Sequence, residues 1–448
     1  MGTGLRAKHN WVRDSISAFI LLCTAGLLAC VAATPSAQPL EPTATLLSST
    51  LAPPPSTLPL PILTREPPTR IPPATPSLVT LTLWTTEELA PGATPAGQVL
   101  KNQLDAFTAA HPYIRIEVVL KKPYGKGGML DFLLTTGAVI PTQLPDLVTL
   151  DVTEVPVAAQ ANLLQPLELW LPDDLKKDFF PFAFRAAHYQ NRWVAVPFVL
   201  DTHHLVYNKA IVKKPPATWD EFLKQKTALL LPLAGDDAFV LQYLALASTG
   251  DGFMPLPTDA ARLTQVLTFF KRARDLNLLP ETAITVKGSD EAWQLFATNQ
   301  VAMAQVAVSR YLAERDRVPQ AAFATVPTRD GKVATVTSGW AFAMVTRDPV
   351  HQAAATRLIQ WLMQSDRLAL WLRAARRLPA TRAMLPLVIE PPEYAAFLRE
   401  TLEQSAYWAA AMPHETQAAN AWRAAIAAVW KGTTTPEDAA RNIVAAIK

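Results

Sequence analysis

Cysteine is nearly absent: the 448 residues contain two, Cys23 and Cys30. Beyond Cys30 there is no thiol for a disulfide, a zinc cage or an iron–sulfur cluster, so stability there must come from a packed core. Glycine is scarce as well, with 16 residues, which leaves few turns that need a positive φ. Charge of one sign is lacking: Lys and Arg number 41 and Asp and Glu 38, a formal net charge of +3. No basic stripe argues for nucleic acid. Also missing are the Gly-x-Ser-x-Gly elbow, the Gly-x-x-x-x-Gly-Lys-[Ser/Thr] phosphate loop and His-Glu-x-x-His. His203 and His204 stand beside Asp201, but neighbours on a strand face opposite ways and cannot easily share one ion. No metal and no cofactor is expected.

What is present at the N-terminus is an address. Arg6, Lys8 and Arg13 precede an apolar run from Ile16 to Ala29. That run, about 15–18 residues, is at or below the length that spans a bilayer, and with its basic start it reads as a secretory signal. Leu27-Leu28-Ala29-Cys30 resembles the bacterial lipobox, whose cysteine is lipidated and becomes the mature N-terminus; an uncleaved anchor is the alternative. Residues 1–30 are thus expected to be a lipoprotein signal and 31–77 a Pro/Thr/Ser-rich tether. Thirteen of the 39 prolines lie between Thr34 and Pro76, with Glu41, Arg65, Glu66 and Arg70 as the charges. Such a segment builds no core and, as extended polyproline, reaches on the order of 100 Å.

The globular part is expected over 78–448. Leu78–Trp84 alternates with period two, Pro95–Ala110 has helical spacing, and Ile114–Leu120 is a second strand. A short helix near Met129–Leu134 and a strand at Asp146–Leu150 complete a β-α-β-α-β order, which predicts parallel pairs in an open α/β sheet. Ligands of such sheets gather beyond the strands' carboxyl ends, here Trp84-Thr85-Thr86-Glu87 and Leu150-Asp151. The chain centres on Trp193 to Lys209. It reads as a buried strand ending near Leu200, then a second at Leu205–Asn208, with Asp201 between. A bare carboxylate there would cost several kcal/mol, so Asp201 is either a bend with local hydrogen bonds or a ligand contact where lobes cross. Thr218 and Glu221 form a capping box in which Trp219 reads as a packing residue. Helical pattern covers Ala238–Leu276 and Ser289–Ala297, a strand Val301–Val308 leads to Ser309-Arg310-Tyr311, and Val333–Val345 is strand-like. Helices follow from Val350, the last at Thr416–Trp430 and Pro436–Ile447. Strands that recur late suggest two interleaved lobes.

Taken in order, several pieces resemble the extracellular solute-binding proteins of sugar-uptake ABC transporters, the maltose-binding-like group. They are the strand ending in Trp84, Pro145-Asp-Leu-Val, Asn162-Leu-Leu-Gln-Pro-Leu, Val196-Pro-Phe-Val-Leu-Asp-Thr with Tyr207-Asn-Lys, and Pro216-Ala-Thr-Trp-Asp-Glu-Phe. Phe296-Ala-Thr-Asn-Gln-Val-Ala-Met303, Ser338-Gly-Trp-Ala-Phe-Ala-Met and Leu378-Pro-Ala-Thr-Arg382 follow. Two positions depart: Asn299 and Ala307 stand where the group often has glycine, which puts the usual backbone approach at 307 in doubt.

The resemblance implies an α/β, two-lobed, type II periplasmic-binding-protein-like fold, its interleaved lobes joined by a hinge around a ligand cleft. It implies a non-enzymatic, monomeric protein at the cell surface or in the periplasm, anchored to the membrane through Cys30, that delivers a carbohydrate to an ABC permease. Asp201 would accept from sugar hydroxyls, while Trp84 and Trp340 would stack on sugar faces. Asp151, Glu87, Ser309, Tyr311, Arg376 and Arg377 are further ligand candidates, with ordinary readings beside them: Asp151 as an N-cap, Tyr311 as core, the arginines as a solvated helix end. The adjacent tyrosines of related iron binders are missing. Arg373, Arg376, Arg377 and Arg382 could instead face an acidic sugar. The rival readings are an exported glycan hydrolase using Asp201, which needs a second acid about 5–10 Å away, and a sensor subunit without a transport role.

Overall fold

The computed structural model describes residues 77–235, 259–335, 337–404 and 417–447. The signal segment, Cys30 and the proline-rich stretch through Pro76 lie outside the described residues, as do residues 238–258 of the expected helix Ala238–Leu276. Eleven strands are described: β1 Val79–Thr85, β2 Ile114–Leu120, β3 Leu147–Asp151, β4 His188–Tyr189, β5 Arg192–Trp193, β6 Val196–Asn208, β7 Leu229–Leu230, β8 Met303–Ala307, β9 Ala321–Ala324, β10 Thr337–Met344 and β11 Leu378–Pro379. β4 and β5 form a separate small hairpin, and the other nine make one sheet in the order β2-β1-β3-β10-β6-β8-β7, with β9 and β11 also on β6.

The expected β-α-β-α-β start is present. β1 pairs in parallel with β2 and β3, and the crossovers are the helices Pro95–Ala110 and Met129–Val139. The first begins as its sequence dictates: Thr94 Oγ1 accepts from the Gly97 amide at 3.0 Å and Pro95 occupies the first turn, where its missing N–H costs nothing. Leu100, Leu104 and Phe107 carry its buried stripe.

The central stretch differs from the expectation. It is not two strands broken at Asp201 but one strand, β6, of 13 residues. Its first half pairs antiparallel with β10 and β11, from Val196↔Phe342 to Thr202↔Thr337. Its second half pairs with β8 and β9, from His203↔Ala307 to Asn208↔Ala321. The partners change between Thr202 and His203, so one strand belongs to both halves of the sheet and Asp201 sits at the change. The carboxylate forces no bend because distant residues bond it, as described below.

Smaller differences have local causes. Asp151 ends β3 rather than capping a helix. Ser309, Arg310 and Tyr311 lie inside a helix, Val308–Glu314, not on a loop after the strand. The C-terminal helices Gln417–Lys431 and Pro436–Ile447 pack on Ala260–Asp275.

The capping box is complete: Thr218 Oγ1 accepts from the Glu221 amide at 3.0 Å, and Glu221 Oε2 accepts from the Ala217 and Thr218 amides at 2.8 and 3.4 Å. Trp219 stacks on Phe269 with ring centroids 4.4 Å apart, the packing role expected of it. Thr218→Ala should therefore lower the unfolding free energy by about 1 kcal/mol, read as a shifted urea midpoint with an unchanged slope.

Candidate ligand-binding site

Where β6 changes partners, Asp201 is held from both sides. Its Oδ1 accepts from the Thr202 amide at 3.0 Å and the Ser309 amide at 3.1 Å. Its Oδ2 accepts from Ser309 Oγ at 2.5 Å and from Arg377 Nη1 at 2.6 Å. Arg377 reaches Asp201 because β11 lies beside β6, with Leu378 opposite Leu200. The other arm of its guanidinium pairs with Glu88, on the 3-10 turn after β1. Burial alone would favour a neutral Arg377, but the Asp201 and Glu88 carboxylates outweigh it and hold its pKa above the ordinary arginine value.

Next along the sheet is an aromatic corner. Trp340 on β10 pairs with Asp151 of β3, and Ser338 pairs with Asp201 of β6. Two-residue spacing puts Ser338 and Trp340 on one face of β10, where Ser338 is exposed and Trp340 half-buried. Gly339 between them faces the other way, and a Cβ there would stand 2.5 Å from the Val199 carbonyl oxygen. Only glycine lets β10 lie this close to β6. The ring of Tyr124 lies 5.9 Å from that of Trp340, tilted by 33°, and its hydroxyl donates to Asp151 Oδ2 at 2.8 Å. Asp151 Oδ1 accepts from the amide and hydroxyl of Thr153 at 2.8 and 2.6 Å. Three residues on, Glu154 is 8% exposed and its Oε2 has no hydrogen-bond partner among the described residues. Burial, reinforced by the Asp151 charge, pushes its carboxyl up to about 8.

Of the expected site residues, the structure brings Asp201, Ser309 and Arg377 together and places Trp340 beside Asp151. It places others elsewhere. Trp84 is 6% exposed, and the Lys121 ammonium covers its ring at 4.4 Å. Glu87 is exposed, and it is Glu88 that joins the cluster. Tyr311 is buried edge-on among Tyr394, His204 and Trp293. Arg376 is exposed and ends the helix Ser365–Ala375 in the left-handed region, with φ of 55°. His204 is buried, its Nε2 against the Tyr394 hydroxyl at 2.8 Å and its Nδ1 against the Leu205 carbonyl at 3.1 Å; burial pushes the imidazole down to about 3, so it stays neutral.

Sequence reasoning passed over Tyr124, Glu154 and Glu88. For Tyr124 a signal existed. Pro123-Tyr124-Gly125-Lys126-Gly127-Gly128 gathers three of only 16 glycines, and Gly125 and Gly127 both take a positive φ, 76° and 74°. At the two departures, Asn299 adopts the left-handed φ of 59° that glycine would take and accepts from Asn208 Nδ2 at 3.1 Å. Ala307 has ordinary extended geometry and its amide donates to Ser289 Oγ at 2.7 Å.

Solved structures share this architecture. The sugar-binding protein MalE from Xanthomonas citri superposes with a TM-score of 0.67 at 19% identity, over 82% of this chain and 96% of that one. The cyclic alpha-maltosyl-1,6-maltose binding protein from Arthrobacter globiformis gives 0.65 at 18%, over 83% and 98%. The Thermus thermophilus maltotriose binding protein gives 0.60 at 20%, over 82% and 98%. The fold is therefore that of the two-lobed, type II periplasmic binding proteins. In sequence, residues 102–398 match the bacterial extracellular solute-binding protein family, and the chain belongs to that family. A maltotriose-binding protein of Pyrococcus abyssi (strain GE5 / Orsay) is 43% identical over 63 residues, a match that spans only 14% of this chain and 14% of that relative.

Proposed function

We propose that the protein captures a carbohydrate outside the cytoplasm, held to the membrane through a lipidated Cys30, and delivers it to an ABC permease. The observation that carries this reading is the corner at the partner change of β6. Half-buried Trp340 and Tyr124 present aromatic faces beside the Asp151 carboxylate, next to the Asp201–Arg377 pair. A sugar offers an apolar C–H face to such rings and hydroxyls to such carboxylates. The relatives are sugar binders by name, which supports the same substrate class.

In this reading Trp340 supplies the stacking surface, Asp151 and Ser338 supply polar contacts, and Asp201 acts mainly by fixing Arg377 and Ser309. The strand β6 serves as the flexing element, and solute favours the closed arrangement of the lobes by its differential affinity. A glycan hydrolase built on Asp201 is disfavoured. The two oxygens of Asp201 already accept four hydrogen bonds, one of them from an arginine, which leaves no free lone pair with which to attack.

The test is thermal unfolding of the full chain against mono- and oligosaccharides, amino acids and polyamines. A ligand at about 100 times its Kd adds roughly 2.7 kcal/mol, a readable rise. One sugar class should raise the midpoint, and Trp340→Ala should weaken its binding about 10- to 100-fold while the unliganded midpoint moves little. A rise from amino acids or polyamines alone would remove the carbohydrate reading.

A further inference from the structure

The solute corner is lopsided in charge. Around the Tyr124 hydroxyl the charged groups are carboxylates, those of Asp151, Glu154 and Glu88. The nearby cation Arg377 is committed to Asp201 and Glu88. Lys121, at the start of the Tyr124 loop, lies over the rings of Trp84 and Phe132 at 4.4 and 4.1 Å, and Lys122 and Lys126 of that loop are exposed. Burial and the Asp151 charge, not a cation, set the carboxyl of Glu154. Glu154 is more than nine-tenths buried, yet its Oε2 has no hydrogen-bond partner among the described residues. A buried carboxyl oxygen left without a donor is costly unless something arrives to fill the place. Two aromatic rings beside two carboxylates are what a cation seeks: the ring faces attract positive charge and the carboxylates bond it.

We propose that the solute is a sugar carrying a positively charged amino group, which seats between the Trp340 and Tyr124 rings and the Asp151–Glu154 pair. The inference rests on the carbohydrate reading and narrows it from sugars in general to amino sugars. Before the solute binds, Glu154 keeps its proton, because burial and Asp151 disfavour a second negative charge. The ammonium group takes over the compensating role, and the Glu154 proton leaves to solvent as it binds. A neutral sugar offers no such exchange.

The experiment is isothermal titration of the full chain in detergent at pH 7 with maltotriose and with maltotrioses in which one hydroxyl at a time is replaced by an amino group. At least one amine should bind about tenfold or more tighter than maltotriose. Its enthalpy should vary with the ionisation enthalpy of the buffer, as proton release requires, and its advantage should shrink at high salt. Glu154→Gln and Asp151→Asn should each erase the advantage, and Glu154→Gln should change maltotriose affinity less than threefold. The wild-type comparison stands even if either variant folds poorly. If maltotriose binds and no amine exceeds it, the amino-sugar inference is wrong and the carbohydrate reading remains. If neither binds, both fall. If an amine binds tightly without proton release and both variants retain the advantage, the charge is read elsewhere and this site is wrong.

Discussion

Replacing Asp201 by alanine is expected to lower the unfolding free energy by about 3–5 kcal/mol, the range found when one partner of a buried, hydrogen-bonded ion pair is removed. The side chains of Asp201 and Arg377 are 14% and 28% exposed, so solvent screens this pair only in part. The substitution strands several groups together: the Ser309 amide and hydroxyl, the Thr202 amide and one arm of the guanidinium. Arg377 keeps Glu88, which is why the lower half of the range is the better expectation. Asp201→Asn should be nearly as costly, because its amide nitrogen would meet donors where the carboxylate had met acceptor-seeking groups. Ser309→Ala removes a single hydroxyl and should cost about 1 kcal/mol. Urea midpoints of the three variants, at unchanged slope, check the order. A loss below about 1 kcal/mol for Asp201→Ala would mean that water, not the protein, satisfies this carboxylate.

Asp201 also shows why part of the fold was legible in the sequence and part was not. Pro95–Ala110, Ser289–Ala297 and Pro436–Ile447 form where expected because their signals are local: helical spacing, a capping residue, a proline in the first turn. The Thr218–Glu221 box is local too. The break expected at Asp201 rested on the cost of a charge in an apolar run, and that cost is met by Ser309 and Arg377, 108 and 176 residues away. No window of sequence contains all three. Asn299 has the same lesson in milder form, since its left-handed backbone could be anticipated from the glycine it replaces, but not its bond to Asn208, 91 residues off. The solute corner was half visible. Trp340 and Asp151 stood out as strand-end residues. Tyr124 comes from a loop whose glycines mark a special backbone, and Glu154 was passed over. Its burial, at 8% exposed, is a property of the folded chain and not of its neighbours in sequence.

That burial leads to the second large expectation, a stability that falls as pH rises through neutrality. The Glu154 carboxyl is raised from 4.5 to about 8 in the folded protein, by burial first and by Asp151 second. Below about pH 4.5 folded and unfolded chains both carry the proton and there is no penalty. Between 4.5 and 8 the unfolded chain has lost it and the folded chain has not, so each pH unit costs the folded state about 1.4 kcal/mol. Above 8 the folded state carries the full penalty, on the order of 3–5 kcal/mol. Glu154→Gln keeps the size of the side chain and removes the titration. The variant should thus lack this fall toward alkaline pH, and at pH 9 its stability should exceed wild type by about that amount. His204 contributes the opposite slope on the acid side. Its imidazole is held down to about 3, so stability is lost as pH falls below 6.5, when the unfolded histidine takes up a proton that the folded one refuses. That term is common to both proteins and cancels in their difference. Urea unfolding of wild type and Glu154→Gln at pH 5, 7 and 9 measures the difference directly. Parallel curves would place Glu154 in water and remove the buried acid from the corner, while converging curves toward pH 5 would fix it there with a proton to exchange.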